Sequence, residues 1–277
     1  MRRIYLGLVI IFISCFTTAH SFEFLEKQRA PDVHPRWKVH DPKSTQFISH
    51  ELWQQFLMRY VQSIGKHQTA VNYADVTKID KQKLDEYINY LSGINIQKYN
   101  RTEQLAYWIN AYNALTIQLI LKHYPIKSIK RIEGKGILTN NPWKLNVVTV
   151  LGITLSLDTI EHDIIRGIWK DPRIHYALNC ASKSCPQLLK EAYIAQDLDK
   201  QLQTAAINFV NGPYGVDRRT ENVKVSRIYL WYMDDFGGNQ KSLLKHITHY
   251  SGPKLRKSIQ QRRSFGFMEY DWRLNER

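Results

Sequence analysis

The sequence predicts an α/β fold of the α+β type, a helix-rich single domain around a small mixed or antiparallel sheet. Two observations favour this fold class. Apolar residues recur at the 3.6-residue period of an α-helix in several separate segments, and some of the short segments between them are β-branched or alternate apolar with polar residues. The 277-residue chain has no internal repeat and no low-complexity tract, so a single domain over residues 47–277 accounts for the pattern.

The N-terminal residues predict a signal peptide over residues 1–21. Two arginines precede an apolar stretch at positions 4–13, and Ala19 and Ser21 are small residues at the spacing that signal peptidase recognises. The stretch falls short of the roughly 20 apolar residues that cross a bilayer, so no transmembrane segment is expected after cleavage. We therefore expect an exported, periplasmic protein, with a lipid anchor on Cys15 as the alternative.

The next segments predict a lead-in followed by two helices. Residues 22–46 contain three prolines and no periodic pattern, which indicates an extended lead-in segment. Helical spacing of apolar residues then runs over residues 52–64 and stops at Gly65, and it returns over residues 84–91 after Asp80. Both segments are predicted to be amphipathic helices.

The third predicted helix has no charged residue over residues 104–121 and ends before Pro125. Small residues, asparagines and Glu103 occupy the face opposite its apolar stripe, which predicts a helix buried on both sides. Asn110 lies on that face, almost directly above Glu103. Because buried amides need hydrogen-bond partners, this face either forms a structural network or lines a site.

Residues 145–154 are β-branched around Gly152 and predict a strand pair or a bent strand. A helix is expected to follow, because Asp158 and Glu161 have capping-box spacing and apolar residues recur over residues 157–168. Asp158, His162 and Arg166 lie at i, i+4 and i+8, so they share one stripe of that helix. A charge ladder on the helix surface is one interpretation of the stripe.

Residues 173–180 alternate between two sets of side chains and predict a strand that carries His175. A turn of small polar residues follows, and Pro186 suits the first position of a helix. This arrangement would place Cys185 at a helix N-terminus. The remaining expected elements are a helix at 198–210, a strand at 223–232, a helix at 243–250 and a last strand at 265–272.

The chain is strongly basic, with 39 Lys and Arg against 25 Asp and Glu and a formal net charge of +14. This charge favours contact with polyanions, which outside the cytoplasm are anionic envelope components such as lipid headgroups and acidic cell-wall polymers. No nucleic-acid-binding motif accompanies the charge, so nucleic acid is not an expected partner. The sequence predicts neither a cofactor nor a metal, and it does not indicate an oligomeric state.

Five stretches together resemble one family: EQLAYWINAYNAL at 103–115, LSLDTIEHDIIR at 155–166, DPRIHYALNCASKSCP at 171–186, VSRIYLWYMDDF at 225–236 and YDWRLN at 270–275. The chain resembles the domain of unknown function 547 family, and the similarity extends over about residues 47–275. The resemblance implies a common fold and a shared constellation of polar residues. It implies no reaction, because the family has no established activity.

Two functions fit these residues. In the first, the protein is a binding or structural module, in which a Cys180–Cys185 disulfide pins a strand to the next helix, as expected in an oxidising compartment. Glu103, Asn110, His162 and Arg166 would then form a buried polar network.

The second function is a cysteine-dependent hydrolase or acyltransferase of papain- or transglutaminase-like logic. A cysteine at a helix N-terminus would be the nucleophile, a histidine the base, and a buried polar residue would orient the histidine. A zinc site built from both cysteines and both histidines is a third interpretation, but its spacing matches no standard motif. The catalytic candidates are Cys185, Cys180, His175, His162, Glu103 and Asn110.

Overall fold

A computed structural model describes residues 30–132, 141–217, 223–261 and 265–277. The predicted signal peptide, Cys15 and the start of the lead-in lie outside the described residues. In the described part of the chain the α-helices are α1 Glu51–Tyr60, α2 Lys78–Ser92, α3 Arg101–His123, α4 Gly167–Trp169, α5 Leu198–Asn211, α6 Ile228–Trp231, α7 Gln240–Tyr250 and α8 Pro253–Gln260. None of the described helices is both long enough and apolar enough to cross a membrane.

The strands of the described residues form three small sheets: β1 Val61–Gly65 with β2 Gln68–Val71, β3 Asn146–Val150 with β4 Ile153–Ser156, and β5 Val216–Asp217, β6 Val223–Val225 and β7 Phe265–Phe267 together. The first two sheets are antiparallel hairpins. In the third sheet β6 pairs antiparallel with β5 and parallel with β7. The helix-rich α+β class is therefore confirmed, but its strands are divided among three sheets.

Helix α3 is the centre of the fold. Asn100 caps it by accepting a hydrogen bond from the Glu103 N–H at 3.0 Å, and the chain leaves the helix before Pro125. Every residue of positions 103–121 except Gln118 is buried. The prediction of a helix buried on both sides is confirmed, because the uncharged face packs against protein rather than water.

A hairpin leads into an unusual helix. The predicted strand pair is β3 and β4, joined by Leu151 and Gly152 with φ angles of 50° and 76°, the positive values that a tight two-residue hairpin turn requires. The helix that follows is a π-helix over Thr159–Arg166 and becomes α-helical at α4. The predicted capping box is wrong: Asp158 already has helical backbone angles, and the Ser156 hydroxyl accepts from the Thr159 N–H instead.

Three predicted elements differ from the structure. Helix α1 ends at Tyr60, because Val61 begins a strand that pairs with Val71. Residues 223–232 divide into β6 and α6, and the last strand is limited to β7.

The predicted strand at residues 173–180 is wrong. The segment is a 3-10 helix over Pro172–Tyr176, begun by Asp171, whose side chain accepts from the Arg173 N–H at 2.9 Å, and by a proline in the first turn. Positions 174–179 are all buried, so the alternation along the sequence does not separate a buried face from an exposed one. The same segment carries His175 into the interior.

Candidate functional site

Both cysteines lie in one loop, residues 177–186, which we call the cysteine loop. It follows the 3-10 helix that carries His175 and is hydrogen-bonded to Asn113 of α3. The helix predicted to begin at Pro186 is not present, because the Pro186 carbonyl accepts a hydrogen bond from the Asn179 amide at 2.6 Å and the chain continues without helical structure. Cys185 is therefore not at a helix N-terminus, and the oxyanion site expected there is not formed.

Three buried asparagines hold the loop in shape. Asn113 of α3 accepts from the Asn179 N–H at 2.8 Å and donates to the Ala177 carbonyl at 2.9 Å. The Asn179 side chain accepts from the Ala181 N–H, and the Ala181 carbonyl accepts from the Asn275 N–H. Ala181 has a φ of 59°, a left-handed conformation that costs free energy for a residue with a Cβ. The hydrogen bonds on both sides of Ala181 impose this turn immediately after Cys180.

The two cysteines of the loop are free thiols in the structure, so the predicted disulfide is not formed there. They nevertheless touch: the Cys180 N–H donates to the Cys185 sulfur at 2.8 Å. Cys185 is buried and its thiol points towards the Leu178 carbonyl, whereas Cys180 is only half-buried. Cys180 is therefore the less buried residue of the two.

The pKa values of the two thiols also differ, and the less buried cysteine has the lower pKa. Burial opposes ionisation of Cys180, but hydrogen bonds with Cys185, Ser182 and Tyr270 outweigh it and lower the pKa of the Cys180 thiol to about 7. Burial raises the pKa of the Cys185 thiol well above its usual value, and the neighbouring Cys180 raises it further. Cys180 is therefore the cysteine of the pair that ionises more readily, and a lowered pKa is typical of reactive cysteines.

Two hydroxyl groups meet at the Cys180 sulfur. The Ser182 hydroxyl lies 3.2 Å and the Tyr270 hydroxyl 3.3 Å from the sulfur. Ser182 donates to the Tyr270 oxygen at 3.1 Å, which leaves the Tyr270 proton for the sulfur. The Tyr270 ring packs against both Trp231 and Trp272, with ring centroids 4.8 and 4.5 Å away. Tyr270 belongs to the last stretch of the family resemblance but was not among the predicted site residues.

We expect Tyr270→Phe to slow alkylation of Cys180 by iodoacetamide at pH 7 about fivefold. Losing one hydrogen bond to a thiolate costs about 1.4 kcal/mol, a factor of ten in the ionisation constant, so the pKa of the thiol rises. The measurement is the alkylation rate between pH 5.5 and 10, where the two proteins should converge at high pH. Tyr90→Phe, which alters a remote hydroxyl bonded to the Ser49 N–H, is the control. Equal rates at pH 7 would contradict the assignment.

A second cluster, which we call the polar centre, consists of Glu161, His162, Arg166, His175, Tyr232 and Asp235. Arg166 forms a two-point contact with Asp235, with Nε and Nη2 at 2.7 and 3.0 Å from the two carboxylate oxygens. Asp235 also meets His175 Nε2 at 2.6 Å, and Arg166 Nη1 donates to His162 Nδ1 at 3.0 Å. The predicted stripe of His162 and Arg166 thus exists, but it is buried rather than on a helix surface.

The polar centre also contains the buried carboxylate of Glu161 and the aromatic ring of Tyr232. Tyr112 of α3 and Tyr232 both donate to Glu161, the former at 2.9 Å. The Tyr232 ring packs on His175 with centroids 3.9 Å apart. Although burial raises the pKa of Asp235, its hydrogen bonds with His175 and Arg166 prevail and hold that pKa far below its usual range. Burial lowers the pKa of His175 despite the nearby Asp235.

The predicted network of Glu103, Asn110, His162 and Arg166 is not a single network. Glu103 accepts from the Ile48 N–H at 2.7 Å, which fastens the lead-in to the start of α3. Asn110 donates to the Tyr193 carbonyl at 2.7 Å and accepts from its N–H at 3.0 Å, so it holds the segment before α5. These two residues therefore lie away from the polar centre.

The residues of the proposed hydrolase are not assembled either. Among the described residues, the hydrogen bonds of Cys180 and Cys185 involve backbone groups, Ser182 and Tyr270, but no histidine. His175 is committed to Asp235, and His162 to Arg166. The described residues also contain no group of three or more His, Cys, Asp or Glu that could hold a metal ion, so the four zinc candidates do not form a metal site.

Comparison with known protein families gives a match over residues 96–210. They match the family described as "Protein of unknown function, DUF547". The resemblance to this family is confirmed over these residues. No curated protein and no solved structure matches it.

The matched part of the chain contains the first three of the five resembling stretches, and with them both cysteines and both histidines of the site. The residues that complete the site come from beyond position 210: Asp235 in the polar centre, and Tyr270 and Asn275 at the cysteine loop. Residues that are 60 to 96 positions apart in the sequence join the matched part to the rest of the chain. Examples are the contacts of His175 with Asp235 and of Asn179 with Asn275. The site is therefore a product of the whole fold.

The π-helix of the DUF547 domain is a further indication of function at the polar centre. It carries Glu161, His162 and Arg166, and all three residues are buried. π-Helical segments are rare and occur frequently at functional sites. Buried ionisable residues whose pKa is strongly shifted also cluster at such sites.

Proposed function

We propose that this protein is exported and exchanges its dithiol, Cys180 and Cys185, with disulfides of its substrates. One observation carries the proposal: two cysteines share one loop, and Cys180, the less buried of the two residues, has a thiol pKa lowered to about 7. The signal-peptide pattern supports export, and disulfide substrates persist outside the cytoplasm. In this proposal the Cys180–Cys185 disulfide is the oxidised state of the protein.

The exchange proceeds in two steps. The Cys180 thiolate attacks a substrate disulfide, forms a mixed disulfide and releases one substrate sulfur as a thiolate, which takes up a proton. Cys185 then loses its proton and attacks the Cys180 sulfur, which releases the second substrate sulfur. Two electrons pass from the dithiol to the substrate. Tyr270 donates to the attacking thiolate, Ser182 donates to the Tyr270 oxygen, and the asparagine-held turn keeps the two cysteines adjacent.

The hydrolase or acyltransferase alternative has weaker support. It needs a histidine base at the nucleophile, and the described hydrogen bonds of His162 and His175 lead to Arg166 and Asp235. It also needs donors for an oxyanion, which the absent helix at Pro186 was expected to supply. A thiol with a pKa near neutrality attacks a disulfide without a separate base, so the same cysteines suit exchange better.

The strongly basic composition of the chain supports a second role, attraction to anionic envelope components. Such binding would hold the protein near the envelope without a transmembrane helix. It is tested by co-sedimentation with vesicles of anionic or zwitterionic lipid. Binding that is confined to anionic vesicles and is lost as the salt concentration rises is the expected result.

The dithiol proposal is tested by trapping. In a Cys15→Ser background, which leaves Cys180 and Cys185 as the only cysteines, the reduced protein is mixed with a disulfide-bonded peptide and weighed intact. Cys185→Ser should retain the peptide as a stable adduct on Cys180. The protein with both cysteines should instead lose two hydrogens and carry no peptide, because Cys185 resolves the adduct.

Cys180→Ser is the matched control, since it leaves the buried thiol with the raised pKa. It should form an adduct at least about tenfold more slowly than Cys185→Ser at pH 7. Equal trapping by the two variants, or no internal disulfide in the protein with both cysteines, would show that the loop is not an exchange site.

A further inference from the structure

The last two helices of the fold carry a concentration of positive charge. Residues 236–268 contain seven Lys and Arg and no Asp or Glu. Five of the seven are exposed residues of α7 and α8: Lys241, Lys245, Lys254, Arg256 and Lys257. The two helices therefore present positive charge to the solvent and have no carboxylate of their own.

Both helices are amphipathic and direct this charge away from the protein. Leu243 and Ile247 of α7 are buried in the same apolar cluster as Leu255 and Ile259 of α8. Because each helix packs its apolar face into that cluster, its basic residues lie on the remaining, solvent-facing surface.

One side chain fixes the junction between the two helices. Asn211, the last residue of α5, donates to the Tyr250 carbonyl at 2.8 Å and accepts from the Gly252 N–H at 2.7 Å. Tyr250 ends α7, and Gly252 is the N-cap residue of α8. The same amide therefore holds both helices, and their basic faces have a fixed relation to each other.

The surroundings of α7 do little to neutralise this charge. The elements with the most extensive packing against α7 are α5, α8 and the 3-10 helix Met233–Phe236. Two of the three acidic residues in these elements, Asp199 and Asp235, pair with arginines at 2.8 and 2.7 Å. Asp234 is the remaining carboxylate of these elements, against five exposed Lys and Arg of α7 and α8.

The distribution of the charge suits a membrane surface. Clusters of about four to eight Lys and Arg on amphipathic helices are typical of binding to anionic lipid. Helices α7 and α8 have 11 and 8 residues and so are about 16 and 12 Å long. Basic residues spread over two helices of this length contact several headgroups at once, and they do not require a helix that enters the bilayer.

We propose that the five exposed Lys and Arg of α7 and α8, which we call the basic surface, dock the protein on anionic lipid headgroups. The inference rests on the proposed attraction to anionic envelope components. It assigns that attraction to one surface of the fold and to one partner, lipid.

The first test removes the charge of the basic surface. One variant combines Lys241→Gln, Lys245→Gln, Lys254→Gln and Lys257→Gln. The matched control removes the same charge from four exposed lysines elsewhere, by Lys66→Gln, Lys78→Gln, Lys83→Gln and Lys98→Gln. Each protein is sedimented with vesicles of phosphatidylglycerol and phosphatidylcholine, and with vesicles of phosphatidylcholine alone to correct for binding that does not depend on charge.

A lysine that contacts an anionic membrane strengthens binding about fivefold. The α7–α8 variant should therefore bind anionic vesicles at least about tenfold more weakly than the wild type, and the control should change less than about threefold. Arginine at the same four positions keeps the charge and should retain binding within about twofold of the wild type.

Two results separate the inference from the attraction on which it rests. Equal losses in the two glutamine variants, or no loss in the α7–α8 variant, would overturn the basic surface while leaving the attraction of the whole chain to anionic lipid intact. If the wild-type protein did not bind anionic vesicles, the proposed attraction would fail, and this inference with it.

A second test separates lipid from an acidic polymer. Binding of the wild type and of the α7–α8 variant is measured on beads coated with polyglutamate as well as on anionic vesicles. We expect the substitutions to weaken binding to the vesicles more than binding to the polymer. A loss on polyglutamate that equalled or exceeded the loss on vesicles would overturn the assignment to lipid.

Discussion

An Asp235→Ala variant is expected to lose about 3–5 kcal/mol of its free energy of unfolding. Asp235 has a side chain that is only 27% exposed, and its carboxylate is the partner of both Arg166 and His175. Removing it leaves the Arg166 guanidinium, whose side chain is 6% exposed, with a buried positive charge and no opposing carboxylate from Asp235. The cost of an uncompensated buried charge is much larger than that of a lost surface contact.

The measurement is urea unfolding at pH 7.5. Asp199→Ala is the matched control, because Asp199 also pairs with an arginine, at 2.8 Å from Arg173, but its side chain is 88% exposed. This control should lose less than about 1 kcal/mol. A double variant, Arg166→Met with Asp235→Leu, should be more stable than Asp235→Ala, since it removes the unpaired charge. Similar losses for Asp235→Ala and Asp199→Ala would mean that the polar centre does not behave as a buried network.

The fold class could be predicted because its main helices depend on local patterns. An uncharged stretch ending before Pro125 was sufficient to predict α3 and its burial on both faces. The strand pair β3–β4 was likewise indicated by β-branched residues on either side of Gly152. The sequence does not reveal whether the backbone hydrogen bonds of a helix follow the α or the π pattern, because the same apolar spacing fits both kinds of helix. The π-helix at Thr159–Arg166 was therefore predicted as an ordinary helix.

The candidate site was only partly predictable, for a reason that concerns contacts between distant residues. Cys180, Cys185, His162 and His175 were found because their residue types are chemically distinctive. Their partners were not found, since Asp235 and Tyr270 reach the site only after the chain has folded back over 60 to 90 positions.

The absent helix at Pro186 has a cause of the same kind. Pro186 itself favours the first turn of a helix, but its carbonyl is bound by the Asn179 side chain, which the fold presents to it. The sequence left open whether the asparagines of α3 line a site or form a structural network, and the structure gives each asparagine a different role. Asn113 supports the cysteine loop, whereas Asn110 fastens the segment before α5. Neither assignment is visible in the helical face that both residues share.

The second large effect is expected on acidification, from histidines that the fold buries in neutral form. Burial lowers the pKa of His50 to about 4, and burial likewise lowers that of His246 to about 4. His50 Nδ1 lies 2.7 Å from the Tyr87 hydroxyl, and its Nε2 is buried with no hydrogen-bond partner among the described residues. Protonation would therefore place a charged and unsatisfied N–H in the core.

The direction of the pH effect on stability follows from the number of protons that the folded and unfolded proteins bind. Each of these histidines has a lower pKa in the folded than in the unfolded protein, so the unfolded protein binds more protons below pH 6.5. Stability is complete above pH 6.5 and falls as the pH drops towards 4. His175 acts in the same direction, because burial lowers its pKa as well. Below about pH 4, protonation of Asp235, whose pKa is depressed in the fold by His175 and Arg166 against the effect of burial, removes further stability.

His50 alone should account for about 2–3 kcal/mol of the loss between pH 7.5 and 4.5. The measurement is the free energy of unfolding in urea at both pH values, for the wild-type protein and for His50→Gln. The variant should lose about 2–3 kcal/mol less than the wild type over this range, whatever its stability at pH 7.5. His34→Gln, which replaces an exposed histidine, controls for the substitution itself. If His50→Gln and the wild type lost the same free energy, the buried neutral state of His50 would not be a source of acid sensitivity.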